Sequence, residues 1–561
     1  VNTKKKSKNI SETCPGKGVR FLSTAVAVFF ILLSSLAAAD GSAESLEASY
    51  KQGLKSIEAW DVERAAAIAR DLMERNPDNP RHRYLMAKVL FYKGDYARAR
   101  EMLARISESS GEDPHAAYLW EMINRTLRAL ESLTTFEEGN LLISLDAAKD
   151  SILIPYIKET MAEALGAIGK RLGYRPMKPL RIEVYPDTES FHLASSLTRR
   201  DIEVSGAVGI CKFNKIMLIS PRVLVRGYAW LDTLVHEYMH YVIVMLSADN
   251  APVWFHEGAA KYYEKVWRSD NEFRLDPVPQ ALLARALENH SLITFQEMYP
   301  SLVKLKTAEE VQLAYAEAET AIALITSQAG DGGVRGSLLR MAREPGRDAM
   351  HVIESTLGLA HNDFTNHWMA FLKSMRLERN EGLEVLRHRV KGTFDSPDAL
   401  DLREIKSEVS RNHLRLGDML KNRGRISAAA LEYKRALGEN PYSPVILNRL
   451  GSSLAQMGST DEGVEKLKTA EELYPDFGPT YKNLAEIYRG QNRLALSRGY
   501  YARAISINPF DPSLHAGLQA VLSAQGIADE AEREGTVLRK LLSRENGGNN
   551  LNKTHPGDSH E

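Results

Sequence analysis

The chain has 561 residues, too many for one hydrophobic core, so several domains are expected. Hydrophobic content of 44% and charged content of 26% are those of a soluble protein, and a formal net charge of -1 leaves no nucleic-acid footprint. With only two cysteines, Cys14 and Cys211, no disulfide framework holds it together.

Residues 1–39 read as an export signal. Lys4, Lys5, Lys6, Lys8, Lys17 and Arg20 precede the apolar run Phe21–Leu33, and Ser34–Ala39 is a small-residue cleavage signature. Cleavage is expected before Asp40; left uncleaved, the segment would anchor the chain in a membrane. Cys14 would leave with the signal. Cys211, in the apolar run Ala207–Cys211, reads as a packed strand cysteine. Residues 43–134 read as paired helices, with Asn76-Pro77 ending one pair and Gly94–Ala99 forming a turn and helix start. Leu180–Pro186 and Lys215–Ser220 read as strands. Gly206–Lys212 suits either an exposed edge strand or a buried hairpin strand.

His236-Glu237-Tyr238-Met239-His240 follows. Two histidines four residues apart share one face of a helix, so both imidazoles can reach one zinc ion. Glu237 can then reach a water on that zinc and act as general base. Catalytic zinc needs a third protein ligand. Two candidates stand together in Pro252–Ala260: His256 and Glu257. One residue turns a helix by about 100°, so only one of them can face the metal. Tyr241–Leu246 carries no glycine and histidine, which excludes the metzincin arrangement.

These residues resemble the peptidase MA-like domain, a bacterial branch of the gluzincin metallopeptidases. The family pattern of a His-Glu-x-x-His helix followed by Pro-x-Trp-x-x-Glu-Gly-x-Ala is met by His236, Glu237, His240, Pro252, Trp254, Glu257, Gly258 and Ala260. The resemblance covers residues 136–377. It implies an α+β zincin-like fold and a zinc ion on His236, His240 and Glu257. It also implies Glu237 as the catalytic base and Tyr315, in Ala314–Thr320, as a donor to the oxyanion. Tyr262 and Tyr263 are weaker alternatives for that donor. One departure stands out. Gluzincins place an acidic residue one turn after the ligand glutamate to hold a ligand histidine, and here that position is Lys261.

Residues 383–407 read as a helical connector. Beyond it Pro441, Pro475 and Pro509 recur every 34 residues, the tetratricopeptide period. In that register Leu416-Gly417, Leu450-Gly451 and Leu484-Ala485 take the leucine–small position, and Ala436, Ala470 and Ala504 the small position of the second helix. The array is expected over 410–543, ending in a degenerate cap, with a disordered tail at 544–561. The 43–134 segment is tetratricopeptide-like. All-α repeats thus flank the α+β domain. Such stacks leave a groove, expected here to carry Arg411, Asp418, Lys421, Asn448, Ser452, Lys482, Glu486 and Arg489 and to bind a protein or peptide.

The expectation is an exported zinc metallopeptidase of the bacterial periplasm or envelope, acting on a protein or peptide substrate. Its repeats would recruit a partner and would fold apart from the catalytic domain. The alternative is an envelope scaffold in which the metallopeptidase-like domain only docks.

Overall fold

The computed structural model describes residues 44–107, 113–198, 202, 206–269, 273–392 and 397–551. The expected export signal, residues 1–39, lies outside them. The chain is mostly helical, with one small mixed sheet.

The N-terminal segment is a stack of antiparallel helices: α1 (44–58), α2 (Val62–Arg75), α3 (Pro80–Lys93), α4 (Tyr96–Ser107) and α5 (Pro114–Leu130). Side-chain caps start three of them. Asp61, Asn79 and Asp113 each accept a backbone N–H from the first turn of the following helix. Pro80 and Pro114 occupy first-turn positions, where no N–H is needed.

The sheet follows. Strands β1 (Thr134–Glu138) and β2 (Leu141–Leu145) form a hairpin, and helix α6 (Ile154–Leu172) crosses over to β3 (Leu180–Tyr185). A short helix α7 (Thr188–Ala194) leads to β4 (Gly209–Lys212) and β5 (Lys215–Ile219). The strand order is β1-β2-β3-β5-β4, parallel between β2, β3 and β5 and antiparallel at both edges. Gly206–Lys212 therefore supplies both expected features. Its strand is hairpin-paired to β5, and it is also the sheet's edge.

Helix α8 (Trp230–Ser247) packs on β4 and β5. Fourteen of its residues are buried, so an all-round apolar sequence is what its position requires. Ala248 ends it in the left-handed conformation, and Pro252 starts α9 (Val253–Tyr263). Then come α10 (Pro277–Glu288), α11 (Ala308–Arg343), α12 (Ala349–Leu357) and α13 (Phe364–Ser374). Gly330, at φ 61°, breaks α11.

The C-terminal region holds α14 (Pro397–Glu404) and four helix pairs: α15 (Glu408–Asn422) with α16 (Ile426–Glu439), α17 (Pro444–Gln456) with α18 (Thr460–Leu473), α19 (Gly478–Gly490) with α20 (Leu494–Ile505), and α21 (Pro512–Ala524) with α22 (Ala528–Leu551). Helix α22 continues to Leu551, past residue 544, the expected start of the disordered tail. Residues 552–561 lie outside the described ones.

The expected separation of repeats and catalytic region is not what the structure has. One apolar core runs from β2, α6 and α8 into Tyr481, Tyr501, Ile507, Leu518 and Leu541 of the last repeats. Polar contacts cross the same boundary. Tyr156 donates to the buried Glu534 at 3.2 Å, Tyr228 N–H donates to Ile507 O at 3.0 Å, and Arg503 reaches Asp232 at 3.3 Å. The physical reason is that α19 to α22 carry apolar surface beyond what their own stacking covers, and the sheet-and-helix body buries it. Several groove residues are also spent internally. Asp418 accepts from Tyr433 and pairs with Arg449, which in turn binds Asp398 and Asp401 of α14. Asn448 is buried against Thr480.

Candidate active site

The four-residue spacing on α8 brings His236 and His240 together, with their Nε2 atoms 3.2 Å apart. Glu257 arrives from α9. Its Oε2 lies 3.6 Å from each of those nitrogens. Of the two candidates on α9, Glu257 therefore joins the pair. His256, one residue earlier, turns to the side and stacks on His240, with Nδ1 to Nδ1 at 3.4 Å. Burial and the neighbouring His240 push His256 down to about 3, so it stays a neutral ring.

Gly258 explains why α9 can lie this close. A Cβ there would fall 2.3 Å from the backbone oxygen of Ala318 on α11, so only glycine lets the two helices meet backbone to backbone. Trp254 anchors α9 by ring contacts with Phe255, Phe295 and Phe364.

The acid that holds His236 is present two turns along. Glu264 Oε2 lies 3.2 Å from His236 Nδ1. Its other oxygen accepts from Lys261 Nζ at 2.6 Å. The residue that looked like a departure from the pattern is thus the partner of the acid that replaces it. Spacing could have found Glu264, because seven residues are two helical turns and return to the same face. Burial opposes charge on His236, but bonding to Glu257 and Glu264, with the field of Glu237, outweighs it and pushes the imidazole up to about 10. Burial likewise opposes ionisation of Glu257, and the two histidines overcome it and hold its carboxyl well below the usual range. The cage is built for positive charge.

Glu237 lies beside this cage on the strand side. It is 5% exposed, its Oε2 has no hydrogen-bond partner, and burial pushes its carboxyl up. Gly209 of β4 makes room for it, since a Cβ there would stand 2.7 Å from Glu237 Oε1. Tyr315 on α11 is near His236, with ring centroids 6.3 Å apart. Burial, then the charges of Glu257 and Glu237, push its phenol well up, so it remains a hydrogen-bond donor. Tyr262 and Tyr263 are used elsewhere. Tyr262 accepts from Thr326, and Tyr263 donates to Asp331.

These groups open on a cleft of about 380 Å³ that Gly209–Lys212 lines along one side. Glu58, Trp60 and Tyr92, from the N-terminal helices, line it too. Sequence gives no hint of that, because these residues lie more than a hundred positions from the histidine pair. Asp249 stands in the same wall, where burial and Glu58 push it up to about 6. Cys211 is also in the wall, and burial pushes its thiol well up, as suits a packed strand cysteine.

Comparison with known proteins divides the chain in the same way. Residues 56–122 and 448–512 match the tetratricopeptide repeat, and residues 160–374 match the Peptidase MA superfamily. The chain is 26% identical over 144 residues to the uncharacterized protein YhcO of Bacillus subtilis, covering 23% of this chain and 42% of that one. It is 29% identical over 93 residues to the small glutamine-rich tetratricopeptide repeat-containing protein 2 of Mycosarcoma maydis, covering 16% of this chain and 26% of that one. It thus spans less than half the length of these curated relatives. Among solved structures, a thermophilic tetratricopeptide protein of Thermus thermophilus is 29% identical with a TM-score of 0.22, covering 24% of this chain and 74% of that one. The chain carries a Peptidase MA superfamily domain, at residues 160–374, flanked by tetratricopeptide repeats.

Proposed function

We propose that this protein is an exported zinc-dependent peptidase with a zincin-like α+β catalytic domain. The observation that carries the reading is the donor triangle of His236, His240 and Glu257, with sides of 3.2, 3.6 and 3.6 Å. Three donors about 2.0–2.1 Å from a tetrahedral zinc stand about 3.3–3.4 Å apart, so the set fits that ion. The unpartnered Glu237 Oε2 beside it supports the same reading, since a buried carboxylate oxygen without a donor is costly unless the site uses it. What zinc supplies in a three-ligand site is Lewis acidity toward a carbonyl and toward a water.

The chain's own residues do the rest. An extended peptide lies along the free edge of β4, adding a strand to the sheet. Glu237 takes a proton from the attacking water and delivers it to the leaving amine; its raised affinity for protons suits both transfers. The Tyr315 hydroxyl donates to the oxygen that gains charge. Glu264 and His256 orient His236 and His240. The N-terminal repeats wall the cleft and so help select substrate.

A scaffold with an idle catalytic domain has no use for a buried Glu237 with one carboxylate oxygen left unpartnered. The test is chelator-sensitive hydrolysis of a peptide library by the full chain. Glu237→Gln should keep its zinc and lose hydrolysis by about a hundredfold or more. Equal activity in both, or none in either, would sink the peptidase reading.

A further inference from the structure

A second cluster of metal-binding side chains lies well away from the cleft, on α12 and the turn that follows it. His351 and Glu354 are three residues apart on α12 and share a face. Gly358 ends the helix at φ 71°, and the chain turns back to bring His361 over that face. His351 Nδ1 lies 3.3 Å from His361 Nδ1, and His361 Nδ1 lies 3.4 Å from Glu354 Oε2. The three donor atoms fall within 4.8 Å of one another.

Glu354 makes the cluster more than a coincidence of surface histidines. It is 1% exposed. Its Oε1 accepts the N–H of Phe364, at the start of α13, at 3.2 Å. Its Oε2 is buried and accepts no hydrogen bond, although it faces the two imidazoles. The protonation pattern gives it no donor. Arg347 stands 2.7 Å from His351 Nε2 and must donate to it, because a guanidinium cannot accept. That places the His351 proton on Nδ1, where it points at His361 Nδ1. His361 Nδ1 is then an acceptor, and it has nothing to give Glu354.

We propose that His351, Glu354 and His361 form a second metal site, one that takes zinc or a similar divalent transition ion. Two imidazoles and a carboxylate are a ligand set such ions favour, and separations of 3.3 and 3.4 Å match those across a tetrahedral zinc, about 3.3–3.4 Å. The ion satisfies Glu354 Oε2 and takes the Nδ1 lone pairs of both rings. His351 then carries its proton on Nε2, and Arg347, an exposed side chain that also pairs with Glu344, swings away. The role is structural. The ion ties α12 to the start of α13, where Phe364 packs near Trp254 on the helix that carries Glu257.

The test is zinc content of the full chain after dialysis, with thermal melts in and out of zinc. Wild type should hold about two zinc ions per chain, and His361→Ala and His351→Ala about one each. Both variants should keep whatever peptidase activity the wild type has, and should lose part of the zinc-dependent rise in melting temperature. Arg347→Ala, which removes the competitor for Nε2, should bind the second zinc more tightly than wild type. His361→Ala is the decisive variant, because its side chain is 61% exposed and its loss should not disturb folding. Equal zinc in wild type and His361→Ala would overturn the proposal, whatever happens at the other site. So would weaker binding in Arg347→Ala.

Discussion

Glu264 and Glu317 are both buried acids of the Peptidase MA domain, and their surroundings drive them in opposite directions. Glu264 meets Lys261 and His236; burial opposes its charge, and the two cations prevail. Glu317 has only the backbone N–H of Ile293, at 2.9 Å, and its Oε2 has no partner. Burial therefore dominates and pushes Glu317 up to about 8. Between the ordinary 4.5 and about 8, the folded chain keeps a proton that the unfolded chain has released, so stability falls as pH rises across that window and levels off above it. Glu317→Gln should flatten this decline and raise the melting temperature at pH 8, read by thermal melts from pH 5 to 9. A slope unchanged by the substitution would mean that Glu317 is ionised and paired in the folded chain. At this scale the sequence was partly legible. The histidine pair follows from helical spacing, whereas the choice of Glu257 over His256 comes from the family resemblance. Glu264 does not follow from the family pattern, because it stands a turn beyond the usual place of the acid, and Lys261 fills that place.

Between elements, two glycines set two different distances. Gly258 lets α9 rest on α11, and so fixes how far Glu257 stands from the histidines. Gly209 lets β4 rest on Glu237, and so fixes the base against the strand. Alanine at each should separate the two functions. Gly258→Ala pushes α9 outward, at a cost of about 1–3 kcal/mol from overpacking, and should weaken zinc binding. Gly209→Ala should leave zinc in place and lower turnover by about tenfold or more, because it displaces the base and not the ligands. Loss of zinc in Gly209→Ala would show that β4 also supports the metal cage. Strand β5 was legible because its apolar run, residues 216–219, is continuous, and β3 because Leu180, Ile182 and Val184 alternate with Arg181 and Glu183. The β1–β2 hairpin was not. Strand β1 carries Glu137 and Glu138 on a largely exposed edge, and Leu142 blurs the alternation of Leu141, Ile143 and Leu145. The repeats were the most legible part, because a period of 34 residues repeats its own packing rule. Gly417, for instance, sits where a Cβ would strike the Tyr433 ring at 2.4 Å.

For the whole molecule, period alone was misleading. It predicts a self-contained stack, whereas the contacts that join the stack to the catalytic body link residues 271 and 378 positions apart, Asp232 to Arg503 and Tyr156 to Glu534. No local pattern reports such pairs. Asp232 lies one turn before His236 and also holds Arg268 and Trp267, so the last repeats are tied to the helix that carries both histidines. A fragment ending near residue 396 should therefore expose part of the shared core. It should melt at lower temperature than the full chain or precipitate, and its zinc affinity should fall with its stability. Calorimetry on the fragment and the full chain makes the comparison. A fragment as stable as the parent, with full zinc, would restore the repeats to a separate recruiting module.

Everything proposed for the cleft rests on Glu257, not its neighbour His256, completing a zinc site with His236 and His240. The most direct measurement is elemental zinc per chain in the His361→Ala background, where the second cluster cannot contribute. The parent should hold about one zinc, His256→Ala should keep it, and Glu257→Ala should lose it. Zinc retained in Glu257→Ala and lost in His256→Ala would contradict the account, and would mean that α9 presents its other face to the metal.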